Sequence, residues 1–573
     1  MTPPQRWHIL DFDDKSIAGI QKRFGVSRYF ARALAEKGLT TDHEISRILS
    51  PGFAHLHPAT LLPDIEAGSQ RIKHAIKRGE RILIWGDEDT DGITSSVFLY
   101  ELLQSLNARV SYHIPSRHDE GIGLNAEGVN HAARTGCSLI VTVDSASSDA
   151  ELIQRARTKG VDVVVTDHHE TDMEGTLPYP LINPKRKDAT YPFRAIAGVA
   201  VAFKLGWHLA VSLLSLSPGE WDSIATEWYP LVFLGTYGDK VPLRDENWTL
   251  AHIGYHALKK TTRKGLRILT EMLSENGDWD EAMLQKMISV FSTGKTESWG
   301  NNLSFRILTE TDITFLRETI SQLIQKSDAW HAEANANYKK ILSEATYDPG
   351  TDIVTVYCPA VPHEYLGFCA SRLKERYGKP IVAMSEKGDT IVGEARAPKG
   401  FDILRVLSGT NQLFLSFGGH KPACGFALDK EKLDEVRSYL SQDFPDIASV
   451  EDTKAELRII GELPLEDLTD EIKGEILSLI PFGADNSPPL FLAKKISFSQ
   501  GEYSLCVPET GEQKQIDLRG NSQSWTGMNG KPLLLDVVYY LNTAGTLIIA
   551  DSRPSVFNES GDRTYPDSGN GQR

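Results

Sequence analysis

Three short segments hold the residues best able to do chemistry: 86-GDEDTDG-92, Asp144 at the end of 138-SLIVTVD-144, and 167-DHHE-170. The first carries Asp87, Glu88, Asp89 and Asp91, alternating so that a loop can turn several oxygens towards one point. Crowding like charges is unfavourable unless cations neutralise them. Mixed Asp and His ligation suits Mn²⁺, allows Mg²⁺ and leaves Zn²⁺ or Co²⁺ open. Taken singly, each segment has a plainer reading: a solvated acidic turn, a helix cap at Asp144, a surface or core pair at His168 and His169. Taken together they indicate a two-metal site, and two metals about 3.5–4 Å apart suit phosphoryl hydrolysis. A further histidine beside such ligands can bind a phosphate oxygen or protonate a leaving group.

The elements that must position these residues are short apolar runs at 81–85, 138–144 and 161–166, each followed by one of the three segments. Further strands are expected at 110–114 and 181–182, with an amphipathic helix at 93–106 and another helix at 149–159. Strands alternating with helices indicate a parallel sheet, and near-continuous Val, Ile and Leu indicate one covered on both faces. Ligands of such sheets bind outside the carboxyl ends of the strands, where all three segments lie.

Around this α/β domain (76–250) the chain reads as a helical lead-in (1–75) and a helical connector (251–345). A second α/β domain (346–445), a β-rich domain (455–550) and a polar tail (551–573) read as disordered complete it. A length of 573 residues suits three or four domains. With 61 Lys and Arg against 77 Asp and Glu, the net charge of −16 excludes a diffuse positive field. Any nucleic-acid site must then be a local basic channel or a metal site. Cys137, Cys358, Cys369, Cys424 and Cys506 are scattered and form no C-x-x-C, so neither a disulfide framework nor a zinc knuckle is indicated. Without an apolar leader in 1–16 or a long apolar run elsewhere, no membrane span is expected, and the location reads as cytoplasmic. The segment 292-STGKT-296 is not a phosphate-binding loop, because Ser289 stands where the pattern needs glycine.

GDEDTDGITSS (86–96), VTVDSASS (141–148) and VTDHHE (165–170) resemble three motifs of the DHH phosphoesterase superfamily, and within it the RecJ family of single-strand-specific 5′→3′ exonucleases. AIAGVAVAFKL (195–205) and LGTYGDKVPL (234–243), with Asp239, resemble further motifs of that family. HEYLGFCASRL (363–373), GEARAPKGFDIL (393–404) and SFGGHKPACGFAL (416–428) resemble its DHHA1 domain, and PFGADNSPPLF (481–491) the approach to its OB-fold. The resemblance spans about residues 7–550. It implies a parallel-sheet DHH domain, helical connector, α/β DHHA1 domain and C-terminal OB-fold barrel. DHH and DHHA1 would form opposite walls of a channel too narrow for a duplex.

Carried over residue by residue, the resemblance implies metal binding by Asp87, Asp89, Asp91, Asp144, His168 and Asp239. His169 would contact phosphate or donate a proton, acting with Asp144 as the catalytic pair, and Asp167 would orient its neighbours. Arg396, Gly418, Gly419 and His420 resemble residues that hold nucleic-acid phosphates, since glycine permits close backbone approach and arginine a forked grip. In the OB-fold, Lys494, Lys495, Tyr503 and Trp525 are the basic and aromatic candidates for guiding the strand.

The chain departs from the family pattern at Glu88 and Thr90, at Ala146 where glycine is usual, at Glu394 where serine is usual, and at Cys424. Near 289–305 the family's substrate-binding arginine has no clear counterpart, with Lys295 and Arg306 the cations at hand to replace it. The implied activity is metal-dependent hydrolysis of single-stranded DNA from its 5′ end to 5′-mononucleotides, in recombination and repair. Two Mn²⁺ or Mg²⁺ ions would serve it, a single-strand-binding protein and a recombination helicase would be its partners, and a monomer would suffice. The alternatives are a phosphoesterase of short oligonucleotides or cyclic dinucleotides, and a non-catalytic replication scaffold.

Overall fold

Aliphatic and β-branched runs, the first four separated by one helix each, build the central sheet. In the computed structural model the described residues are 6–274, 279–298, 300–348, 352–398, 400–442, 444, 456–498, 504–506, 513–515 and 534–555. The chain divides into two compact units, Ile9–Ser321 with Arg458–Arg573, and Met1–His8 with Gln322–Leu457.

In the first unit, β1 (Arg81–Trp85), α1 (Thr90–Ser105), β2 (Arg109–His113), α2 (Ala126–Arg134), β3 (Cys137–Val143), α3 (Ala150–Thr158), β4 (Asp162–Thr166) and β5 (Leu181–Ile182) follow one another. The five strands are all parallel, in the order β2-β1-β3-β4-β5. From β1 the chain first steps outward to β2 and then returns to β3 on the other side. The direction of winding therefore reverses between β1 and β3, which opens a crevice at their carboxyl ends. Val141, Val164 and Val165 are fully buried, as the continuous apolar pattern requires.

Helix α1 differs from the amphipathic helix expected at 93–106. Asp89 caps it by accepting a hydrogen bond from Gly92 N (2.9 Å), so it begins at Thr90 and takes Asp91 into its first turn. Apart from Tyr100 and Glu101, its residues from Thr90 to Leu103 are buried, because α4 (Gly198–Leu214) and α5 (Tyr229–Gly238) cover what the sheet leaves open. The helix Ile65–Arg78 runs through the boundary placed at 75/76. It packs on the sheet at Gly68, where a Cβ would lie 2.8 Å from Ile182 Cδ1. Ser292 and Thr293 end a helix and Thr296 begins a short strand, an arrangement unlike a phosphate-binding loop.

The second unit holds β6 (Thr346–Asp348), β7 (Val354–Tyr357), α6 (Leu366–Tyr377), β8 (Ile381–Lys387), β9 (Thr390–Arg396), β10 (Ser416–His420) and β11 (Ala423–Asp429). Its sheet runs β10-β11-β9-β8-β7-β6, parallel only at β7–β8. The span read as a helical connector (251–345) holds the helices Lys264–Leu273, Glu281–Thr293 and Leu303–Thr309 and ends in the long helix Ile313–Glu344.

The C-terminal strands β12 (Glu456–Glu462), β13 (Leu490–Phe498), β14 (Leu535–Leu541) and β15 (Leu547–Pro554) pair in that order, parallel at β12–β13 and antiparallel thereafter. Tyr503, Trp525 and most of the tail lie outside the described residues. Among the described residues no helix is long and apolar enough to cross a membrane.

Candidate metal centre

The acidic cluster forms where the winding reverses. Asp87 follows β1, Asp144 follows β3, and Asp167, His168 and His169 follow β4. Asp91 points from the first turn of α1 to the first turn of α4, accepting hydrogen bonds from Gly198 N (2.7 Å) and Val199 N (2.8 Å). A helix N-terminus favours an anion there. Glycines permit this crowding. A Cβ at Gly198 would lie 2.4 Å from Asp144 Oδ1, and one at Gly235 on α5 2.8 Å from Asp91 Oδ1. Asp239 stands at the C-terminus of α5.

His168 Nε2 lies 3.1 Å from Asp144 Oδ1, 3.6 Å from Asp239 Oδ2 and 3.8 Å from Asp91 Oδ2. Two triads result, Asp87–Asp89–Asp144 and Asp91–His168–Asp239, each with one ligand atom per residue within 4.8 Å of the others. All six residues expected to bind metal are thus in one place. A third triad, Asp144–His168–His169, overlaps them.

Burial and then the neighbouring carboxylates push Asp91 and Asp144 well above the ordinary aspartate range. Burial and Asp89 raise Asp239 to about 7. Burial and then His169 lower His168 to about 4, leaving it neutral and able to ligate. Asp144 Oδ1 and His168 Nδ1 are buried with no hydrogen-bond partner among the described residues. Carboxylates that resist ionising together, beside a neutral imidazole, form a donor set that fits divalent cations.

Asp167 is employed differently. Its Oδ1 accepts hydrogen bonds from His168 N (2.7 Å), His169 N (3.2 Å) and His169 Nδ1 (2.7 Å), and its Oδ2 one from Ser147 N (2.9 Å). Although burial works against both charges, this pairing holds Asp167 well below the usual range and raises His169 to about 9. Asp144 and Ala146 both have positive φ, 59° and 78°. Ala146 thus sits in the left-handed region where the family pattern has glycine, a placement unfavourable by about 1–2 kcal/mol for an L-residue.

Sequence reasoning missed Arg117, which follows β2. Its Nε donates to Asp87 Oδ1 (2.9 Å) and its Nη2 to Asp89 Oδ2 (2.8 Å). The signal was available, since β2 also ends at this crevice. Glu88 is buried, accepting hydrogen bonds from Thr296 N (2.8 Å) and Arg117 N (3.1 Å), with Lys295 Nζ 3.6 Å away. Lys295 therefore reaches the rim of the cluster, whereas Arg306 stacks on the Phe315 ring at 4.1 Å.

In the second unit, Arg396, Gly418, Gly419 and His420 lie on β9 and β10, on either side of β11. Arg396 pairs with Ala423, which pairs with His420. Gly419 has φ 144°, and a Cβ there would meet Ala423 O at 2.5 Å. Glu394 Oε2 forms an ion pair with Arg396 Nη1 at 2.8 Å. Lys494, one of the basic residues noted near the C-terminus, pairs with Glu462 at 2.6 Å.

Residues 81–236 match the family described as DHH family, N-terminal domain, and residues 350–444 the DHHA1 domain. The chain is 30% identical over 537 residues to the single-stranded-DNA-specific exonuclease RecJ of Dickeya dadantii, with 89% of each chain covered. It is 30% identical over 546 residues to the RecJ of Bacillus subtilis, spanning 90% of this chain and 65% of that protein. The crystal structure of RecJ from Thermus thermophilus in complex with Mn²⁺ shares its fold, with a TM-score of 0.74 and 22% identity over 97% of this chain and 81% of that one. With both domains in order and sequence shared along nearly its whole length, the chain belongs to the RecJ family.

Proposed function

We propose that the chain is a metal-dependent exonuclease that hydrolyses single-stranded DNA from its 5′ end to 5′-mononucleotides, with Mn²⁺ or Mg²⁺ as cofactor. The observation that carries this reading is the pair of carboxylate and histidine triads at the reversal of the sheet, in a chain of this family.

In this reading Asp87, Asp89 and Asp144 hold one cation, and Asp91, His168 and Asp239 the other. Cations bound there supply neutralising charge to the phosphate and acidify the attacking water. The remaining work falls to the protein. Asp167 fixes the ring of His169 and keeps it protonated, so that His169 can contact a phosphate oxygen or protonate the leaving group. Arg117 and Lys295 provide positive charge at the rim. Arg396, Gly418, Gly419 and His420 serve as phosphate contacts.

We read the C-terminal β-rich segment as an OB-fold that guides the strand, and a single-strand-binding protein and a recombination helicase as the partners this activity calls for. A cytoplasmic location suits the free, buried thiols of Cys137, Cys358, Cys369 and Cys424. The test uses one long single strand, labelled at either end in separate reactions, with Mn²⁺, with Mg²⁺ and with chelator. The expected result is immediate release of a labelled mononucleotide from the 5′ end and stepwise shortening of the 3′-labelled strand, only with metal. A strand that survives every metal overturns the reading.

A further inference from the structure

We propose that Glu394 is a built-in competitor for Arg396, weakening the grip of this DHHA1 sheet on a nucleic-acid phosphate. The inference rests on the proposed function, in which Arg396 meets phosphate. Residues alternate across β9: Ala395 packs into the core beside Cys424 and Phe426, while Glu394 and Arg396 share the opposite face. Both side chains remain partly exposed, at 31% and 25%. Arg396 Nη1 donates to Glu394 Oε2 (2.8 Å) and to its neighbour's carbonyl, Ala395 O (2.8 Å).

Glycines flank the pair on three sides. Glu394 stands opposite Gly425, which stands opposite Gly418. A Cβ at Gly425 would lie 3.3 Å from Glu394 Oε1, and one at Gly418 would meet nothing within 4 Å. On α6, a Cβ at Gly367 would lie 2.8 Å from Arg396 Nη2 and 3.7 Å from Glu394 Oε2. Glycines on two strands and a helix thus leave a cation and an anion side by side, with room above β10.

A carboxylate engages guanidinium much as two phosphate oxygens do. A phosphate arriving here must displace Glu394 or accept its repulsion, whereas a sugar hydroxyl can donate a hydrogen bond to it. Serine at this position, as the family pattern has it, would leave the guanidinium to the phosphate and add a donor.

The test measures binding of full-length wild type, Glu394→Ser and Glu394→Gln to one single strand carrying either a 5′-phosphate or a 5′-hydroxyl, by fluorescence anisotropy with chelator. Both variants should tighten binding of the phosphorylated strand by about tenfold, the size of one charge-assisted hydrogen bond. If the hydroxyl strand changes by less than roughly twofold, the competing phosphate is the terminal one; if both strands tighten alike, it is internal. Adding Arg396→Ala to Glu394→Ser should remove the gain. Unchanged affinities in both variants, or a gain that survives Arg396→Ala, would overturn the role of Glu394. Failure of the wild type to bind either strand, together with failure to hydrolyse them once Mn²⁺ is supplied, overturns the functional reading itself, and this inference with it.

Discussion

Asp144 and Asp167 are both buried at strand ends in one crevice, yet they have opposite electrostatic settings. Asp144 faces other carboxylates and His168, whereas Asp167 is satisfied by three N–H groups of the backbone and by the His169 ring. Asp144→Ala should therefore abolish hydrolysis, while Asp167→Asn should lower it by about 10–100-fold, the usual cost of losing an orienting partner. End-labelled single-strand digestion checks both, and comparable losses would contradict the division of roles. At Ala146 the strain is in the backbone. Ala146→Gly relieves a left-handed alanine but gains entropy in the unfolded chain, so the net expected stabilisation is about 0.5 kcal/mol in urea denaturation.

At the scale of elements, the site depends on how closely α4 and α5 approach the ends of the strands. Gly198→Ala should push α4 off Asp144, weakening Mn²⁺ binding in calorimetry while circular dichroism remains native. A second helix, Asp245–Leu258, is tied to the segment entering the C-terminal strands by His252, whose Nδ1 lies 2.7 Å from Ile480 O. Burial lowers this histidine to about 4, below the unfolded value of about 6.5, so the neutral ring is favoured in the fold. Its contribution is complete above that unfolded value and is lost as pH falls towards the folded one, by at most ~3 kcal/mol. The urea midpoint should fall between pH 7 and pH 5, and His252→Gln should flatten that dependence.

For the whole molecule, which carries a net charge of −16, the cluster is where buried carboxylates face one another and resist ionising together. Cation binding should then couple to folding. At about 100 times the dissociation constant, Mn²⁺ should stabilise the chain by about 2.7 kcal/mol, raising the thermal midpoint, and chelator should reverse the shift. A midpoint indifferent to Mn²⁺ would argue against ligation by the cluster.

Much of this was legible in the sequence because local rules suffice for it. Strand runs with their following acidic and histidine residues and the all-parallel character of the first sheet follow from periodicity and short-range pattern. The strand-end rule of open α/β sheets brings the segments around Asp87, Asp144 and His168 to one crevice, whereas the full set of six, with Asp239 at a helix end, followed only from the family resemblance. Other features rest on contacts between distant segments, which spacing does not encode. Arg117 meets Asp87 only because β2 lies beside β1, and α1 is buried nearly all round only because α4 and α5 pack over it. The glycines at 198 and 235 read as motif letters until helix backbones are seen to crowd the carboxylates. The residue types thus determined which chemistry was available. The tertiary structure decided the sorting of carboxylates into two triads, the setting apart of Asp167 and the pairing of Glu394 with Arg396, because burial and ångström-scale proximity, not residue type, set the charge each group can keep.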